Sequence, residues 1–185
     1  VVGRLYEDQY RLHGKTYQMK QHGFARNMEF EVRKHSDSEI IFVLTHNEET
    51  LRQYPFKFEL EVAYFLEGEA LSVQYTVRNK DEQEIWATIG GHPGFTCPLP
   101  DLGARSDYTL VFDQPESAHR HLLEDGNFNG ETEMVLNNET ELPISDGIFD
   151  KDALVFKDLN SSGVTLQHQS GKRIVRMEFE GFPYL

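Results

Sequence analysis

Two histidines stand in settings that suit proton transfer. His92 lies in Ile89-Gly90-Gly91-His92-Pro93-Gly94-Phe95, where glycines and a proline impose a tight backbone around one side chain. An imidazole gives or takes a proton near neutral pH, so it is a natural general acid. The same residues also fit a Gly-Pro turn that merely caps a strand. His22 lies in Gln21-His22-Gly23-Phe24-Ala25-Arg26, again followed by glycine and with a guanidinium four residues on. Arginine presents planar paired donors that suit hydroxyls, carboxylates or phosphate. A hairpin turn with a surface arginine is the plainer reading of this stretch. Arg4, after Gly3, has the same ambiguity. Asp152, in Asp150-Lys151-Asp152-Ala153-Leu154, is expected to open a strand, where aspartate often just satisfies backbone donors.

Other chemistries find little support. His119-Arg120-His121 would place two imidazoles on one strand face, but no carboxylate–histidine pattern accompanies them, and no metal site is expected. The single cysteine, Cys97, excludes an internal disulfide and any multi-cysteine cluster, and it reads as a small core residue. A reducing, cytoplasmic setting is the expectation. There is no phosphate loop, nucleotide fingerprint or Gly-x-Ser-x-Gly elbow, and no cofactor is implied. Asn138-Glu139-Thr140 and Asn160-Ser161-Ser162 match the glycosylation acceptor, a pattern frequent by chance. With 18 basic against 31 acidic side chains the net charge is −13, which disfavours nucleic acid and acidic membrane surfaces as partners. No apolar run is long enough to span a bilayer, and no signal peptide is visible.

The elements that must position these residues read as strands. Phe56-Lys57-Phe58-Glu59-Leu60-Glu61-Val62 and Leu71-Ser72-Val73-Gln74-Tyr75-Thr76-Val77 alternate apolar and polar side chains around Glu67-Gly68-Glu69, which predicts a β-hairpin. Met28 to Val32, Ile40 to Leu44, Ala153 to Phe156, Gly163 to His168 and Ile174 to Phe179 are further candidate strands. Thr50 to Tyr54 fits one helical turn before Pro55, and Glu131 to Leu136 another short helical piece. Pro98 to Ser145, with four prolines and many acidic and Asn residues, reads as long loops. Short strands separated by turn signals argue an all-β, antiparallel sandwich formed as one domain over residues 1–185. The chain opens without Met at Val1 and stops at Leu185 just after a strand-like stretch, so the domain is expected to be incomplete at both ends.

The order of Gln21-His22-Gly23-Phe24-Ala25-Arg26 and Gly90-Gly91-His92-Pro93-Gly94-Phe95, with an alternating β region between them, resembles the aldose 1-epimerase (galactose mutarotase-like) superfamily, and within it the LacX-type branch. Val1-Val2-Gly3-Arg4-Leu5, Gly14-Lys15-Thr16-Tyr17, Tyr54-Pro55-Phe56-Lys57-Phe58 and Asp152-Ala153-Leu154-Val155-Phe156 support the resemblance across the chain. It implies a β-supersandwich with an open sugar cleft, and an isomerase that interconverts the α and β anomers of a free aldohexose. By the same resemblance His92 is the acid at the ring oxygen and His22 assists by hydrogen bonding. Arg4, Arg26 and Asp152 bind substrate. The family's general base is a glutamate on a strand past the Gly-Phe-Pro-Tyr-Leu region, so it is expected beyond Leu185. Two alternatives stand beside this reading: a hexose-6-phosphate 1-epimerase, in which arginines face phosphate, and a non-catalytic carbohydrate-binding module on the same fold. A purely structural β-sandwich, with no sugar site, is the fourth reading. The implied partner is a small sugar, and the sequence leaves the oligomeric state open.

Overall fold

The computed structural model describes residues 3–185; Val1 and Val2, which open the Val1-Val2-Gly3-Arg4-Leu5 stretch, lie outside the described residues. The fold is nearly all β, with every paired strand antiparallel. The chain divides into two compact units, Val1–His92 and Pro93–Leu185.

In the first unit, β1 (Gln9–Leu12) and β2 (Lys15–Gln18) form a hairpin. Its two-residue turn, His13-Gly14, has positive φ at both positions (48° and 78°), the geometry that matches strand twist. Cross-strand partners Tyr10 and Tyr17 stack at 5.4 Å. The larger sheet runs β3-β4-β5-β6, from β3 (Glu31–His35), β4 (Glu39–Thr45), β5 (Phe58–Glu67) and β6 (Ala70–Asn79). The hairpin β5–β6 is the one the alternation predicts, closed at Gly68 with φ 60°. Strand period places Phe42, Val62, Tyr64 and Val73 on one face, with Glu59, Glu61 and Arg78 on the other. A register shift between Val32 and Lys34 bulges β3 at Arg33, whose guanidinium reaches Glu59 (3.0 Å) and Glu61 (2.7 Å). Arg78 joins the same two carboxylates, and these partners hold the Glu59 carboxyl down at about 2.

Between β4 and β5 lies α1 (Glu48–Gln53), which starts two residues earlier and ends one residue earlier than the expected turn. Asn47 starts it with a reciprocal cap: its Oδ1 accepts from the Thr50 N–H, and Thr50 Oγ1 accepts from the Asn47 N–H, both at 2.9 Å. Pro55 disfavours helical backbone at the residue before it, and Tyr54 is extended. Strand β3 begins at Glu31, three residues later than Met28, and a 3-10 turn at Ala25–Asn27 precedes it.

The second unit overturns the expectation of long loops between Pro98 and Ser145. That stretch holds β7 (Tyr108–Glu116), β8 (His119–Glu124), β9 (Asn127–Met134) and β10 (Glu139–Pro143). Prolines are tolerated because they fall where ladder donors are not needed. Pro115 lies past Phe112, where pairing of β7 with β11 (Gly163–His168) stops, and Pro143 ends β10. The expected helical piece at Glu131 to Leu136 is also corrected. Its first part is strand, because Asp125-Gly126, with φ 51° and 77°, turns β8 back onto β9. Ala153 to Phe156 makes an isolated bridge at Val155 rather than a regular strand. With β12 (Arg173–Glu178) the main sheet is ordered β10-β7-β11-β12, and β8-β9 forms a separate pair.

Phe112, Leu136, Leu142, Phe156 and Val164 build the core of this unit, beside a smaller cluster of Tyr108, Ile144 and Leu166. Its buried polar groups are satisfied. The Tyr108 hydroxyl donates to the Leu102 carbonyl and accepts from the Leu99 N–H. The Glu116 carboxylate accepts from the N–H groups of Asn160 and Ser161.

Candidate active site

The turn that carries His22 is built from residues that accept unusual backbone angles. His22 itself has φ 65° and Gly23 has φ 71°. Glycine adopts this region freely, whereas a histidine does so at a cost of order 1–3 kcal/mol. Two bonds to Gly3 help hold the strained residue: the His22 N–H donates to the Gly3 carbonyl at 2.8 Å, and the Gly3 N–H donates to His22 Nδ1 at 3.2 Å. Because Nδ1 accepts, the neutral ring carries its proton on Nε2. Burial pushes the His22 imidazole below its ordinary value, and the positive charge of Arg26 and then His92 add to the effect. The neutral His22 ring is therefore oriented as an Nε2–H donor.

One aromatic cluster anchors both histidine segments. Phe24, two residues after His22, packs against Tyr54 (5.8 Å) and Phe58 (5.7 Å). Phe56 meets Trp86 edge-on at 6.2 Å, and the Tyr54 hydroxyl donates to the Trp86 carbonyl at 2.8 Å. Trp86 lies within the irregular, mostly exposed run that follows β6 and leads to His92. Tyr54-Pro55-Phe56-Lys57-Phe58 thus grips the His22 turn through one set of rings and the His92 segment through another.

The two imidazoles converge, with ring centroids 6.1 Å apart and planes tilted by 45°. The Gly3 N–H occupies His22 Nδ1, so the Nε2–H of the neutral ring is the group His22 has left to offer a ligand. His92 is exposed, in keeping with a group that meets a ligand.

Arg4 follows Gly3, so its backbone is beside His22, and its guanidinium makes a two-point fork with Asp8: Nε to Oδ1 at 2.8 Å and Nη2 to Oδ2 at 3.1 Å. Arg26 stands exposed in the 3-10 turn Ala25–Asn27 and acts electrostatically on His22. Asp152 belongs to the second unit, where it is exposed with φ 75° and its Oδ1 accepts from the Ala153 N–H at 2.7 Å. Sequence reasoning passed over Gly3 and Asp8 as site partners. The four-residue spacing of Arg4 and Asp8 was the available signal, hidden because no helix suggested that the two would meet. Among the described residues, no group of three or more His, Cys, Asp or Glu side chains is arranged to hold a metal ion, and no helix is long and apolar enough to cross a membrane.

A family model described as aldose 1-epimerase matches residues 2–178. The chain belongs to the aldose 1-epimerase family. Its LacX-type branch is shown by the plasmid-encoded protein LacX of Lactococcus lactis subsp. lactis, 31% identical over 171 residues, covering 90% of this chain and 57% of that protein. Two solved structures agree. A galactose mutarotase related enzyme from Lactobacillus acidophilus is 35% identical with a TM-score of 0.84, covering 93% of this chain and 58% of that one. A galactose mutarotase-like protein from Lactobacillus casei ATCC 334 is 32% identical with a TM-score of 0.86, covering 99% and 63%. The chain thus spans less than two thirds of the length of each of these relatives.

Proposed function

We propose that this aldose 1-epimerase family member is a mutarotase that interconverts the α and β anomers of a free aldohexose, with His92 as general acid. The observation that carries the reading is the convergence of the His22 and His92 rings at 6.1 Å, with His22 Nδ1 engaged by the Gly3 N–H so that its Nε2–H is left to donate. In the forward step His92 gives a proton to the ring oxygen as the C1–O5 bond breaks. The anomeric hydroxyl gives its proton to a carboxylate base, the glutamate that the family resemblance implies, and C1 becomes the aldehyde carbon. Rotation about C1–C2 exposes the other face, and the same steps in reverse close the ring as the opposite anomer. His22 Nε2–H donates to the ring-oxygen side and steadies the charge that moves there. Arg4, Arg26 and Asp152 bind sugar hydroxyls. Neither histidine serves as the base for the anomeric hydroxyl. No cofactor enters this reading, and the partner is a small sugar.

Two-dimensional exchange NMR of glucose and galactose with the purified protein tests the activity. Cross-peaks between anomers that grow with protein concentration are expected. Binding of either sugar without any gain over spontaneous exchange would favour a non-catalytic carbohydrate module instead.

A further inference from the structure

We infer that a cleft in the second unit, with the Arg120–Glu133 pair set in an apolar wall, is a separate binding site for an uncharged, polyhydroxylated ligand of aldohexose size, using neither His22 nor His92. The cleft has a volume of about 430 Å³, within the range of small-molecule sites. Its wall continues the core of the unit: Leu142 is buried, and Val135, Ile148 and Leu154 pack against the same cluster. Arginine is seldom buried unless paired, and Arg120 is only 8% exposed. Arg120 on β8 and Glu133 on β9 are cross-strand partners. Arg120 Nε and Nη2 donate to Glu133 Oε2 at 3.0 and 2.6 Å, and Nη1 donates to the Ile148 carbonyl at 3.0 Å. Lys151 Nζ donates to the same Glu133 oxygen at 3.1 Å. These bonds leave one N–H on each of Nη1 and Nη2, and the whole of Glu133 Oε1, without a partner among the described residues. Arg120 and then Lys151 hold the Glu133 carboxyl below the usual carboxylate range, so it is an acceptor at neutral pH.

These groups select by charge. A carboxylate or phosphate arriving at Arg120 meets Glu133 already seated on the same guanidinium, and the two anions repel. A hydroxyl carries both a donor and an acceptor, so it can accept from the spare guanidinium N–H and donate to Glu133 Oε1. The C–H groups of a sugar ring suit the apolar wall beside that pair.

The test follows methionine, isoleucine and leucine methyl resonances by NMR as glucose, galactose or sodium acetate is added to wild type, Glu133→Gln and Ser145→Trp. Ser145 lines the cleft from an exposed position, so a tryptophan there crowds the opening without removing a core side chain, and circular dichroism checks both folds. The expected result is a saturating shift of the Met134, Ile148 and Leu154 methyls with sugar and none with acetate. Affinity is expected to fall about tenfold in each variant, while His92→Ala leaves these shifts as they are. No saturable sugar shift at these methyls, a response to acetate instead, undiminished affinity in either variant, or loss of the shifts in His92→Ala overturns the inference. Sugar shifts confined to the His22 and His92 rings also overturn it, while leaving the proposed function standing.

Discussion

At the scale of single residues, the division of labour between His22 and His92 comes from backbone, not from side-chain partners. Gly3 donates into His22 Nδ1, and that one bond fixes which nitrogen carries the proton. The account expects imidazole nitrogen NMR to find the Nε2–H tautomer for neutral His22, titrating below the ordinary 6.5. The sign for stability follows. A histidine whose folded value is depressed resists a proton that the unfolded chain accepts, so its contribution is present above about pH 6.5 and is lost as pH falls through the folded value. An Nδ1–H tautomer, or titration above 6.5, would refute the assignment. The types of these residues were legible in the sequence, since both histidines stand among glycines that announce special backbone. Their relation was not. Nothing in the spacing of residues 22 and 92 reveals a shared approach, and the Asp8 fork depends on two positive-φ residues, Glu7 and Asp8, that carry no glycine to advertise them.

At the scale of elements, the loop between α1 and β5 organises the site. Tyr54 ends α1 and Phe58 opens β5, and between them they hold Phe24 on one side and Trp86 on the other. Tyr54→Phe keeps the rings and removes the hydroxyl bond to the Trp86 carbonyl. The account expects a loss of about 1 kcal/mol in denaturant unfolding and a several-fold drop in kcat with a smaller change in KM. Unchanged kcat in exchange kinetics would show that this bond does not position the His92 segment. Alternation made the β5–β6 hairpin readable, because a half-buried strand must alternate. The β8–β9 hairpin was missed although Asp125-Gly126 marks it, because polar strands such as Asn127–Met134 bury little and lack the apolar period. Pro115 and Pro143 argued against strands in that region, yet both sit at positions where no ladder bond is required.

At the scale of the whole molecule, family membership and fold agree with the motif pair read from the sequence, and the chain spans 57–63% of the length of these relatives. The net charge of −13 disfavours a phosphorylated substrate over a neutral one. The central proposal is that the His92 imidazole drives anomer exchange as general acid. The direct measurement is exchange NMR of glucose with wild type and with His92→Ala at equal concentration. The account predicts that the variant loses about a hundredfold or more of the protein-dependent rate, falling close to spontaneous exchange while circular dichroism stays unchanged. A variant that exchanges anomers as fast as wild type would contradict it.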